Sequence, residues 1–279
     1  MMYLLFFLTA FADVTLPDNG PTLHYQKSGQ GPALLLLGGL GNRLSVWNEV
    51  TPLLEKSFTV YRMDHRGIGG SPEHPGDYNL KTMADDAAGL MAQLGVKKYS
   101  VVGISLGSFV AQKMALDYRD RLEKVILIGS TTGGATHTLP DGEVLAFWQT
   151  MATMDRDARL KRGLELALHP DFIKNSVEKY RALIKARDKY DPPPATIQKQ
   201  MLVGMMFNHS EAAANIEIPT MIMHGDGDRV VPVENAHTLH KLIRYSRLEI
   251  IKNSGHLTII DQAEKNAELI YHFLLVGDK

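Results

Sequence analysis

Gly103-Ile104-Ser105-Leu106-Gly107 has the residue types and spacing of a serine nucleophile held in a tight turn. An apolar strand pattern precedes it and a helical pattern through Val110, Met114 and Leu116 follows it. The chain must therefore reverse from strand to helix at Ser105, and glycines two residues either side remove the Cβ atoms that would collide there. A Gly-Ser turn without chemistry is the plain alternative, and the flanking strand and helix weigh against it. A serine hydroxyl attacks only when a neighbouring base takes its proton and an acid orients that base. The base expected is His256, in Asn253-Ser254-Gly255-His256 after the last strand pattern. Asp226 and Asp228, in the loop after the strand Thr220 to Met223, offer the acid, in the chain order Ser, Asp, His.

The other histidines have milder readings. His224 closes a strand as a packed neighbour of the acid loop, and His237, His240 and His272 lie within helical patterns. His24, His74, His137, His169 and His209 lack a serine and carboxylate context, and His65 is a rim candidate only.

These residues need a scaffold that brings loop ends together. Ala33 to Leu37 is a continuous apolar run ending in Gly38-Gly39, as a strand buried on both faces of a parallel sheet requires. Phe58 to Met63, Tyr99 to Val102, Val125 to Ile128, Thr220 to Met223 and Leu248 to Ile251 read as further strands. Asn79 to Gly95 reads as an amphipathic helix, and Leu257 to Leu275 as a closing helix. Strands alternating with helices imply βαβ units and a mostly parallel sheet. From His137 to Ala214 the rhythm breaks into helical stretches, such as Glu143 to Thr153, Asp157 to Leu168 and Ser176 to Arg187, punctuated by Pro192-Pro193-Pro194. Residues 137–214 are thus expected to be a helical cap inserted into a core of 1–136 and 215–279.

Composition narrows the function classes. The 279 residues carry 30 Lys plus Arg against 31 Asp plus Glu, and that balance argues against a nucleic-acid partner. No Cys is present, so disulfides, thiolate metal sites and cysteine nucleophiles are excluded. Glycine-rich stretches lack the spacing of a nucleotide-binding loop, and the chemistry above needs no cofactor and no metal. Met1 to Ala12 is apolar and uncharged, too short to span a bilayer, so no stable membrane insertion is expected. A first strand from Phe11 to Leu16, which cleavage after Ala12 would cut, goes with a cytoplasmic protein. As a signal peptide cleaved after Ala12, the apolar stretch goes with a periplasmic or secreted one, although no Lys or Arg precedes it.

With these motifs the sequence resembles the α/β-hydrolase superfamily of the capped kind, over nearly the whole chain. The matching stretches are Gly38-Gly39-Leu40-Gly41 with Trp47 soon after, Asp64 to Ser71, Gly103 to Gly107, Gly225 to Pro232, and Gly255-His256. The fold implied is a mostly parallel twisted sheet flanked by helices, with a helical cap insertion. The family's G-x-x-D-x-x-x-P spacing lands on Gly225, Asp228 and Pro232, so Asp228 is the implied acid and Asp226 falls one step early. The resemblance also implies an oxyanion hole from the backbone N–H groups of Leu40 and Leu106. The family's usual His-Gly-X loop is here Gly38-Gly39-Leu40, so the brace of that loop has changed. Asp64 and Arg66 are implied to be a scaffold pair.

The implied activity is that of a serine hydrolase, through an acyl-enzyme, on a small or medium, largely apolar carboxylic ester or lactone. A cofactor-free haloperoxidase, a carbon–carbon bond hydrolase and a slow-turnover small-ligand receptor share the same triad. Aspartate-nucleophile dehalogenases and epoxide hydrolases are disfavoured by Ser105. Substrate contacts are expected from the cap, with Trp148, Met151, Met205 and Met206 foremost, beside Phe147, Met154, Met201 and Phe207.

Overall fold

The computed structural model describes residues 10–151, 153–187 and 190–277. Eight strands form one sheet: β1 (Ala10–Thr15), β2 (Thr22–Ser28), β3 (Ala33–Leu37), β4 (Thr59–Met63), β5 (Tyr99–Ile104), β6 (Leu122–Ile128), β7 (Thr220–Gly225) and β8 (Ser246–Ile251). Their order is β1-β2-β4-β3-β5-β6-β7-β8. β2 pairs antiparallel with both β1 and β4, and every other pairing is parallel. Residues 1–9, on which most of the signal-peptide reading falls, lie outside the described residues, and Ala10 opens β1.

The apolar runs become strands because both sheet faces are covered. Along β3, Leu35 and Leu37 enter one core and Leu34 and Leu36 enter the other, the two-residue alternation of a pleated strand. Each of these four side chains is fully buried, which stabilises the fold by roughly 2 kcal/mol apiece. The helices α1 (Thr51–Leu54), α2 (Leu80–Gln93) and α3 (Leu106–Asp117) follow in the first half of the chain. α2 starts where Asn79 accepts the Thr82 N–H at 3.0 Å and the Thr82 hydroxyl accepts the Asn79 N–H at 2.9 Å.

Between β6 and β7 run α4 (Gly142–Thr150), α5 (Arg156–Ala167), α6 (Pro170–Asn175), α7 (Val177–Arg187) and α8 (Pro194–Met205), with no strand of the sheet among the described residues. The ends of this segment meet, since Gly133 bridges Asn208 and the His209 N–H donates to Thr132 O at 2.7 Å. α8 begins directly at the Pro192-Pro193-Pro194 run, with Pro194 in the first turn, where its missing N–H leaves no acceptor unsatisfied.

The chain closes with α9 (Glu234–Leu242), α10 (Thr258–Asp261) and α11 (Ala263–Tyr271). The expected single helix from Leu257 onward is broken at Gln262, whose φ of −133° is not helical. Asp261, the last residue of α10, is engaged elsewhere: its carboxylate accepts the Gly255 and His169 N–H groups at 2.8 and 3.0 Å. No described helix is long and apolar enough to cross a membrane.

Strand order fixes where a site can form. After β3 the chain steps one way to β4, then crosses back to place β5 on the other side of β3. The loops leaving the carboxyl ends of β3 and β5 therefore diverge, opening the crevice in which such sheets hold ligands.

Candidate active site

Ser105 stands at that crevice, between β5 and α3. Its φ of 53° and ψ of −125° lie in a region disfavoured for a residue with a Cβ, a strain of about 1–3 kcal/mol. The surroundings leave no alternative path. A Cβ on Gly103 would run into the Gly107 carbonyl, and one on Gly107 into the carbonyl of Leu37. The Ser105 N–H donates to Ile128 O at 2.9 Å, and its carbonyl accepts the Ser108 N–H and hydroxyl at 2.8 and 2.6 Å. The turn is thus bolted on both sides while the side chain remains partly exposed.

The acid and the base lie at the ends of β7 and β8. Asp228 Oδ2 accepts the Nδ1–H of His256 at 2.7 Å, and Oδ1 accepts the backbone N–H groups of Val230 and Val231 at 2.9 and 2.8 Å. The Nε2 of His224 lies 3.2 Å from the same Oδ2 and 2.7 Å from Val231 O. Burial alone would raise the Asp228 pKa. The imidazole of His256, the hydrogen bonds from both histidines and the charge of His224 outweigh it and hold the carboxyl well below its usual range. A carboxylate at Nδ1 fixes the tautomer of His256 and leaves its Nε2 lone pair as the proton acceptor.

Asp226 takes a different part. Its Oδ1 accepts the Ser254 N–H at 3.4 Å and its Oδ2 lies 3.6 Å from Lys252 Nζ, so it braces the loop before His256. The two loops touch closely, since a Cβ on Gly225 would meet the carbonyls of Ser254 and Gly255.

Ser105 at the end of β5 and the Asp228–His256 pair at the ends of β7 and β8 flank the end of β6. The residue after Ile128, which anchors Ser105, is Gly129, and a Cβ there would stand 3.0 Å from His256 Nδ1 and 3.4 Å from Asp228 Oδ2. On the other side, a Cβ on Gly39 would stand 3.1 Å from the Cβ of Ser105, so the loop after β3 packs directly against this serine. Leu40 lies in that loop, half-buried. Leu106 is the first residue of α3, where a backbone N–H has no intrahelical acceptor.

The loop after β3 is braced without a histidine at position 38. The Asn42 side chain donates to Leu40 O at 3.1 Å, the Asn42 N–H donates to Gly39 O at 3.1 Å, and the Gly41 N–H donates to Gln200 Oε1 at 2.7 Å. His65, the rim candidate, is 1% exposed and its Nε2 lies 3.3 Å from Gly38 O. Burial lowers its pKa to about 4 against the hydrogen bond to Gly38, so the ring is neutral and Nε2 is the donor.

Asp64 and Arg66 do not pair with each other. Asp64 accepts the N–H groups of Leu44 and Gly70 at 2.5 and 2.9 Å, while the Arg66 guanidinium grips both oxygens of Asp86 on α2 at 2.5 Å. Both remain scaffold, tying separate elements to the rim.

The four residues expected to contact substrate lie at the ends of two helices of the inserted segment, α4 and α8. Trp148 is 38% exposed, Met151 just after α4 is half-buried, and Met205 and Met206 are 80% and 74% exposed at the end of α8. Phe207 is buried instead, its ring stacked 4.2 Å from that of Phe109, one turn of α3 beyond Ser105. His224 packs against Asp228 as its strand-end position implied, whereas Asn42, Gln200 and Asp261 hold loops in ways that local sequence patterns do not signal, because their partners are set by tertiary packing. Among the described residues, no group of three His, Asp or Glu side chains could hold a metal ion.

Known proteins place this architecture. The family described as alpha/beta hydrolase fold matches residues 32–263. The chain is 26% identical over 255 residues to the pyrrolizixenacetamide deacetylase of Xenorhabdus hominickii, spanning 91% of this chain and 95% of that protein. It is 26% identical over 282 residues to the 2-hydroxymuconate semialdehyde hydrolase of Pseudomonas sp. strain CF600, spanning 94% and 97%. The solved enol-lactonase of Burkholderia xenovorans LB400 superposes with a TM-score of 0.82 at 22% identity, over 94% of this chain and 99% of that one. Sheet order, strained serine turn and family match agree: the chain belongs to the α/β-hydrolase fold family.

Proposed function

We propose that this hydrolase cleaves a small or medium, largely apolar carboxylic ester or lactone through an acyl-enzyme on Ser105. The observation that carries the reading is the 2.7 Å hydrogen bond from His256 to a buried Asp228, on the same sheet edge as the strained Ser105 turn. His256 Nε2 takes the Ser105 proton as Oγ attacks the acyl carbonyl. Asp228 stabilises the imidazolium so formed, and the N–H groups of Leu40 and Leu106 receive the oxyanion. The imidazolium then returns its proton to the departing alcohol. Water, deprotonated by the same ring, releases the acid and restores Ser105.

Residues 137–214 act as the cap over a core of 1–136 and 215–279, with Trp148 and Met151 against the acyl chain and Met205 and Met206 at its mouth. Flexible thioethers suit a site that accepts varied apolar groups. Relatives that act as a deacetylase and as a 2-hydroxymuconate semialdehyde hydrolase support acyl chemistry, and the second makes carbon–carbon bond hydrolysis the alternative for the same triad.

Turnover of p-nitrophenyl esters of increasing chain length, alongside aliphatic lactones, tests this reading. Hydrolysis is expected to peak at short to medium chains and to fall about a million-fold in Ser105→Ala. Activity confined to peptides, to charged substrates or to substrates cleaved at a carbon–carbon bond would replace the ester reading, and undiminished activity in Ser105→Ala would end it.

A further inference from the structure

We propose that Gln200, in the middle of α8, is a positioning residue for the oxyanion hole, and that the seating of the inserted helices is therefore read out in the rate of acyl transfer. The inference rests on the serine-hydrolase reading above. Gln200 is fully buried, and a buried amide persists only where each polar atom finds a partner. Its Oε1 accepts the Gly41 N–H at 2.7 Å and its Nε2 donates to the Tyr78 hydroxyl at 2.9 Å. The Tyr78 hydroxyl in turn donates to Arg66 O at 3.2 Å, and the Arg66 side chain is locked onto Asp86. Because a backbone N–H can only donate and Arg66 O can only accept, this chain fixes which end of the Gln200 amide faces Gly41.

The consequence falls on Leu40. The peptide unit joining Leu40 to Gly41 is held at both ends, its N–H by Gln200 and its C=O by Asn42 at 3.1 Å. The preceding unit, which carries the Leu40 N–H, has its C=O held by the Asn42 N–H at 3.1 Å. With one plane fixed at each end and the next pinned by its carbonyl, the direction of the Leu40 N–H is set. Gly38 supplies no side chain for this task, so α8 supplies it across 159 residues of sequence. A second contact keeps the pair in register, because a Cβ on Gly41 would stand 2.8 Å from Ile197 on the same helix. α8 also grips the rim through Thr196, whose hydroxyl donates to Glu73 at 2.5 Å. Lifting α8 thus releases the oxyanion donor, and seating it restores the donor.

The test compares Gln200→Met, which keeps the volume and removes both hydrogen bonds, with Gln200→Glu, which keeps an acceptor for Gly41. The p-nitrophenyl ester turned over fastest by the wild type is the probe, and amide hydrogen exchange across 38–42 is followed by mass spectrometry. In Gln200→Met, kcat is expected to fall about tenfold to a hundredfold with KM within about threefold, because a misaimed donor loses transition-state contact alone. Gln200→Glu should recover most of that loss, and exchange across 38–42 should accelerate in the Met variant only. Unchanged kcat in Gln200→Met, or equal losses in Met and Glu variants, would overturn the proposal. If Gln200→Met does not fold, Tyr78→Phe, which unlocks the amide, must lower kcat without moving KM, and an unchanged kcat overturns the proposal equally. A wild type that turns over no ester fails the hydrolase reading instead. Exchange across 38–42 then still decides the clamp, which is lost if Gln200→Met leaves it unaltered.

Discussion

The carboxylate of Asp228 faces four donors: two backbone N–H groups, His256 and His224. Among the described residues, the side chain of Asp226, two residues earlier, meets Ser254 and the exposed Lys252. An amide at 228 would present N–H to at least one of these donors and leave His256 without the anion that stabilises its charged form. Asp228→Asn is therefore expected to lower kcat by about ten-thousandfold. Asp226→Asn removes a partly exposed contact and should change kcat by less than about threefold. Steady-state kinetics on both variants, with circular dichroism confirming the fold, checks the assignment. The residue types of the proposed triad were legible because each role needs one side chain: a hydroxyl at 105, an imidazole at 256, a carboxylate three or five residues beyond the apolar run Thr220 to Met223. Loop position alone left Asp226 and Asp228 as rivals, the family spacing favoured Asp228, and the hydrogen bond to His256 falls on Asp228.

At the scale of elements, the strands were legible and the contacts between loops were not. Continuous apolar runs such as Ala33 to Leu37 became buried strands because two-sided burial demands them. The break at Gln262 follows from Asp261 turning to hold Gly255 and His169, and α8 follows a proline run that reads as a stop until Pro194 is seen in a first turn. His65 shows the same limit: its sequence neighbourhood gives a rim loop, while the fold buries it under Gly38. Its imidazole, ordinarily titrating near 6.5, is held to about 4, chiefly by burial. Between those values the unfolded chain binds a proton that the folded chain refuses, so stability is full above about pH 6.5 and is lost as pH falls toward 4. Half-buried His209, also lowered to about 4 by burial and by the Lys113 charge, adds in the same direction. Urea unfolding at pH 7 and pH 4.5 should show His65→Gln, which keeps a donor for Gly38, losing about 2 kcal/mol less than the wild type over that interval. Equal losses in both proteins would remove His65 from the acid response.

Across the whole molecule, the sheet order gathers groups that are distant in sequence. β3, β5, β6, β7 and β8 are successive neighbours, and their carboxyl ends bear Gly39, Ser105, Gly129, Asp228 and His256 in turn. The inserted helices hold this edge at several places, among them α8 through Gln200 at the loop after β3 and the end of α5 through Leu257 N–H donating to Ala167 O at 2.9 Å beside His256. Charge balance and the missing cysteines narrowed the chemistry from the outset, whereas the coupling of insertion to loop exists only in three dimensions. The most direct measurement is mass-spectrometric mapping of a fluorophosphonate adduct. The account predicts a single adduct on Ser105 in the wild type, formed orders of magnitude more slowly in His256→Ala. An adduct on another residue, or labelling of Ser105 at the same rate without His256, would contradict it.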